Sequence, residues 1–131
     1  MLNRRHLLGA LAGALLFPVT ASAMETVPFD LSAFEADQAA DKPILIEVTA
    51  PWCPVCKAQA PILSRLRSDP RFKDFISFNI DFDTQKDLLR KFGVQKQSTL
   101  IVFNGKLEEG RSTGDTNAAS IEALLGKTIN P

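Results

Sequence analysis

The pattern of apolar and polar positions divides the chain into a leading apolar segment followed by short strands and helices in alternation. Leu31–Ala40 has helical spacing, with Leu31, Phe34 and Gln38 on one side and Asp30 or Ser32 placed to cap it. Ile44–Val48 is a β-branched and apolar run, interrupted by Glu47 and bounded by Lys42-Pro43 and Ala50-Pro51, as expected of a buried strand. From Cys53 to about Ser68 the period turns helical. Ile62, Leu63 and Leu66 face inward, Lys57, Arg65 and Arg67 face water, and Pro61 predicts a bend.

Phe75–Phe82 alternates, with Ile76, Phe78, Ile80 and Phe82 on one face and Ser77, Asn79 and Asp81 on the other. Thr84–Phe92 predicts a helix capped by Asp83 or Thr84 and stopped at Gly93. Thr99–Phe103 is a strand, Asn104-Gly105 a hairpin turn, and Lys106–Ser112 the returning strand. Asn117–Leu125 closes the chain as a helix with Ile121, Leu124 and Leu125 inward, and Glu25–Pro28 reads as a short lead-in. The order is helix, strand, helix, strand, helix, hairpin, helix, that of an α/β domain.

The leading segment stands apart. Asn3-Arg4-Arg5-His6 is a basic head, Leu7–Val19 is apolar and rich in Ala and Gly, and Ala21-Ser22-Ala23 is a small-x-small cleavage site. Its about 13 apolar residues fall short of the roughly 20 that span a bilayer, so residues 1–23 are expected to be a cleaved signal peptide and 24–131 the mature domain. The paired arginines before His-Leu-Leu resemble a twin-arginine export signal, and an ordinary secretory signal has the same parts. Both routes lead out of the cytoplasm, to the periplasm in a Gram-negative bacterium.

Without residues 1–23 the chain keeps 13 basic and 15 acidic groups, a formal charge of −2, with no basic patch for nucleic acid. Its about 108 residues suit one core. Two cysteines do not make a disulfide-stapled scaffold, and the single His6 leaves with the signal, so one chain cannot build a Cys₄ or Cys₂His₂ zinc site.

The cysteines carry the chemistry. Pro54 suits the first helical position, which puts Cys53 at the cap, where free backbone N–H groups and the helix dipole favour a thiolate. Cys53 is the expected nucleophile, reachable from solvent. Cys56, one turn on, is the expected resolving thiol. A purely structural disulfide is the rival reading, but a loop with two intervening residues constrains the unfolded chain little. No cofactor is needed.

Trp52, Cys53, Cys56, Lys57 and Pro61 after a buried strand form a pattern that resembles the thioredoxin superfamily. The likeness continues through Asn79-Ile80-Asp81, Lys91-Phe92-Gly93-Val94, Thr99-Leu100 and Phe103-Asn104-Gly105. The resemblance implies an α/β thioredoxin fold, a central mixed sheet with helices on both faces, and a redox-active Cys53–Cys56 disulfide. It also implies a proton relay for Glu47, which stands where the family often buries an aspartate. Alternation alone leaves open whether Glu47 points inward or to solvent.

Trp52, Pro54, Val55, Ser98 and Thr99 are the expected substrate-binding residues. The departure from the family is Ser98, where a cis-proline usually precedes Thr99. A cis bond costs a non-proline residue about 3 kcal/mol, so a trans loop and a more open site are expected. Loss of that proline also leaves open a second reading, a metal or iron–sulfur cluster shared by two chains through four thiolates, or a redox-inert binding protein that keeps the fold. The leading reading is an exported, monomeric thiol–disulfide oxidoreductase. It would reduce disulfide-containing exported proteins with electrons from a membrane thiol donor.

Overall fold

The computed structural model describes residues 12–18 and 24–129. The basic head and the Ala21-Ser22-Ala23 site lie outside the described residues. The stretch 12–18 forms neither helix nor strand and leaves Leu15, Leu16 and Phe17 exposed. No helix among the described residues is long and apolar enough to cross a membrane.

The elements are β1 (Glu25–Pro28), α1 (Leu31–Ala39), β2 (Pro43–Thr49), α2 (Pro54–Arg67), β3 (Ile76–Asp81), α3 (Lys86–Phe92), β4 (Thr99–Asn104), β5 (Leu107–Thr113) and α4 (Ala118–Gly126), with a single 3₁₀ turn at Pro70–Phe72. The five strands form one sheet in the order β1-β3-β2-β4-β5. β1 and β2 run parallel to β3, and β4 runs antiparallel to both β2 and β5. This is the expected mixed sheet with helices on both faces.

Alternation along the central strands feeds two cores. Leu45, Leu100 and Val102 pack with Leu63 and Leu66 of α2 and Ile121, Leu124 and Leu125 of α4. Ile44, Ile46, Val48, Ile101 and Phe103 face the other way, toward Phe34 of α1 and Leu89 of α3. Phe34 is the hub of that second core, with its ring 5.4–5.9 Å from those of Phe29, Phe78, Phe92 and Phe103. Because both faces are covered, Ser77 on the polar side of β3 is also buried.

Several expectations need correction. Glu25–Pro28 is an edge strand, made one by its parallel pairing with Ile76–Asn79. Leu31 is exposed, and α1 buries Phe34 alone. The helix after β3 starts at Lys86, because Asp81 Oδ1 accepts from the N–H groups of both Asp83 and Thr84 and holds them in a turn. Its end is as expected, at Gly93 in the left-handed region. The hairpin turn is Gly105-Lys106, since Asn104 still pairs with Leu107. Gly105 has φ +58°, and a Cβ there would meet Asp41 Oδ1 at 2.8 Å, so glycine is needed on two counts.

Candidate active site

β2 and α2 bring the chemistry together. The chain leaves β2 at Thr49 and re-enters helix at Pro54, whose missing N–H costs nothing at that position. Cys53 is the N-cap residue, with extended backbone (φ −82°, ψ 109°), and its Sγ accepts from the Cys56 N–H at 3.1 Å. Cys53 and Cys56 are joined as a disulfide with Cα atoms 5.3 Å apart, within the ordinary range. Pro61 sits inside α2 and is exposed, and the helix continues past it to Arg67.

Ser98 closes the site from the other side of the sheet end. Its Oγ lies 3.1 Å from Cys53 Sγ and 3.3 Å from Cys56 Sγ. A disulfide sulfur has no proton to give, so the serine hydroxyl is the donor. The backbone at Ser98 has φ +62°, left-handed for a non-glycine residue and worth about 1 kcal/mol of strain. Three hydrogen bonds hold it there. Its N–H donates to Val48 O at 2.8 Å, and its C=O accepts from Gly114 N at 3.1 Å and Gln59 Nε2 at 3.2 Å.

The expected openness is therefore wrong. No cis peptide bond occurs among the described residues, yet Ser98 is 2% exposed and Cys53, expected to be reachable, has 0% exposure in this oxidised state. Cys56 is the more accessible of the pair. The physical reason is the donor that a proline lacks. The Ser98 N–H pins the loop to the end of β2, and the hydroxyl then falls onto the sulfurs.

Glu47 points inward and is buried. Its carboxylate accepts from Arg67 Nη2 at 2.5 Å and from the Ser77 hydroxyl, and neither cysteine is among its hydrogen-bond partners. The relay expected of Glu47 thus has no direct contact to act through. Arg67, expected in water, is instead half-buried and is the cation paired with the buried Glu47. Thr99 is buried as well, with its Oγ1 bonded to Lys96 O and Thr113 Oγ1, so its side chain is turned away from the cysteines.

Trp52 is 54% exposed beside the cap, and its Nε1 donates to both carboxylate oxygens of Asp83 at 3.1 and 2.9 Å while its ring meets the edge of Phe82. Asp83 is held in turn by Asp81, whose carboxyl lies below its usual range. The Thr84 backbone N–H is the main cause, opposed by desolvation and aided by the Thr84 hydroxyl, the Asp83 N–H and Lys86. Pro54 is exposed and Val55 half-buried on the same surface.

Two site residues escaped the sequence reading. Asp83 was expected only as a helix cap, a place the structure gives to Gln85. Gln59 had a signal: it shares the helical face of Leu63 and Leu66, where a polar side chain needs a buried partner. It finds two, donating to Ser98 O and, at 2.8 Å, to Asp115 O.

The site is a disulfide at the N-terminus of a helix in an α/β fold, and the comparisons give the class. The family model described as Thioredoxin matches residues 25–127, and the chain belongs to that family. Among solved structures it is similar to Trxlp from Edwardsiella tarda EIB202, with 40% identity, 77% of this chain and 97% of that one covered, and a TM-score of 0.74. Among curated relatives it is 36% identical over 133 residues to the protein disulfide-isomerase of Arthroderma benhamiae, covering 97% of this chain and 25% of the relative. It is 32% identical over 118 residues to protein disulfide isomerase-like 2-2 of Oryza sativa subsp. japonica, covering 88% and 32%. The chain spans about a quarter to a third of the length of those two relatives.

Proposed function

We propose that the chain is an exported thiol–disulfide oxidoreductase that reduces protein disulfides through a Cys53–Cys56 dithiol–disulfide cycle. The observation that carries this reading is the Cys53–Cys56 disulfide at the N-terminus of α2, with the Cys56 N–H aimed at Cys53 Sγ. In the reduced protein the Cys53 thiolate attacks one sulfur of a substrate disulfide. That S–S bond breaks, the departing thiolate takes a proton, and a mixed disulfide forms. Deprotonated Cys56 then attacks Cys53 Sγ, releasing the second substrate thiolate and closing the disulfide seen here. Two electrons pass from the dithiol to the substrate, and no cofactor takes part.

Breaking the Cys53–Cys56 bond pushes the two sulfurs to van der Waals separation. Trp52, Pro54 and Val55 supply the surface a substrate meets. The reducing direction is supported by the Trp-Cys-x-x-Cys-Lys context, export by the basic head and small-x-small site, and the absence of a nucleic-acid partner by the charge of −2. In this reading exported proteins with disulfides are the substrates, a membrane thiol carrier returns the electrons in the periplasm, and the chain works as a monomer. A closed Ser98 over both sulfurs favours exchange chemistry over a cluster shared between two chains, which needs all four sulfurs presented to a partner.

Insulin reduction with dithiothreitol tests the activity. The wild type should precipitate insulin, and Cys53→Ser should fall to the uncatalysed rate. An inactive wild type, or full activity in Cys53→Ser, defeats the reading.

A further inference from the structure

We propose that the Ser98 hydroxyl stabilises the Cys53 thiolate in the reduced protein, held in place by Gln59 as a positioning residue, so that residue 98 sets the redox poise of the pair. The inference rests on the oxidoreductase reading and adds a device to its site. In the disulfide, one hydroxyl proton is shared between two neutral sulfurs at 3.1 and 3.3 Å, and neutral sulfur is a weak acceptor. After reduction Cys53 carries a charge at the helix cap, and the same bond becomes charge-assisted. An interaction stronger in the reduced than in the oxidised state favours the reduced state, which raises the reduction potential.

The arrangement is built rather than incidental. Ser98 and Gln59 are each 2% exposed, and among the described residues the only hydrogen-bond partners of Ser98 Oγ are the two sulfurs. The left-handed backbone at Ser98 is kept by bonds from three separate elements: Val48 at the end of β2, Gln59 in α2 and Gly114 after β5. Gln59 also ties the loop to Asp115.

Charged groups do not compete for the sulfurs. Lys57 on α2 and Lys96 in the loop before β4 are exposed, Glu47 on β2 bonds to Arg67 and Ser77, and Asp115 turns its carboxylate to Ser120 and the Asn117 N–H. No titratable side chain among the described residues hydrogen-bonds either sulfur beyond the cysteines themselves.

The test is the equilibrium of the Cys53–Cys56 couple with glutathione in the wild type, Ser98→Gly, Ser98→Ala and Gln59→Met. Glycine accepts φ +62° without strain, so Ser98→Gly removes the hydroxyl and leaves the loop its conformation. Both Ser98 variants should disfavour the reduced form about tenfold, which is about 30 mV toward more reducing potentials. Gln59→Met should move it the same way by less. The pH of half-maximal Cys53 alkylation, read in a Cys56→Ala background, should rise in step. An unchanged potential in Ser98→Gly, or a shift in Ser98→Ala that Ser98→Gly does not share, overturns the proposal. Failure of the wild type to reduce insulin would defeat the oxidoreductase reading instead, because the glutathione equilibrium is read without a protein substrate.

Discussion

At the C-terminal end of α2, Arg67 reaches the buried Glu47 carboxylate and Ser77 adds a second donor. At the N-terminal end, the Cys56 N–H and the Ser98 hydroxyl converge on sulfurs that carry no charge in the disulfide. The same helix thus has one end where charge is present and matched, and another where donors stand ready for a charge still to appear. The first arrangement holds structure. The second is the mark of chemistry, since donors fixed before the reaction need not reorganise when the thiolate forms.

That contrast breaks most visibly at Arg67. Arg67→Met leaves the Glu47 carboxylate buried without its cation, and should cost about 3 kcal/mol in urea unfolding, the lower end of the range because Arg67 is partly exposed. Adding Glu47→Leu should recover most of that loss. The Cys53–Cys56 potential should stay where it is in both variants, and a shift would show that the two ends of α2 are coupled after all.

A smaller effect is expected at the rim of the cysteine end. Asp83→Ala frees the Trp52 indole from its anchor, with a stability loss of about 1 kcal/mol or less for an exposed hydrogen bond. The readouts are Trp52 fluorescence anisotropy, which should fall, and the KM for insulin, which should rise while kcat holds. An unchanged KM would remove Trp52 from the substrate surface.

The smallest is the pH dependence set by Asp81. Its folded carboxyl titrates below its ordinary value, so its contribution is fully present above the unfolded pKa and is lost as pH falls through the lower folded one. The wild type should therefore lose its advantage over Asp81→Asn in acid-range thermal melts and keep it at neutral pH. A difference that does not vary with pH would assign the turn to packing rather than to the charge on Asp81.

Much of this molecule was legible in advance, for identifiable reasons. β2 and β4 are continuous apolar runs because both faces of the sheet are covered, and α2 announces itself by Pro54 at its first position. β1 was hidden because four residues ending in proline show no period and become a strand through pairing with β3. Arg67 was misplaced because helical spacing says which side a residue takes, not how far a long side chain reaches back.

The α/β class and the cysteine pair at a helix cap were readable from residue order, and the replacement of a family proline by Ser98 from the resemblance. The first two follow from residue type and short-range spacing, which act within a turn or two of the chain. Long-range packing settles that Ser98 closes over the sulfurs, that Gln59 holds it there, and that Glu47 is matched to Arg67. Each of those contacts joins residues 20 or more positions apart, 39 for Gln59 and Ser98 and 45 for Cys53 and Ser98, and a packed sheet is what brings them within reach.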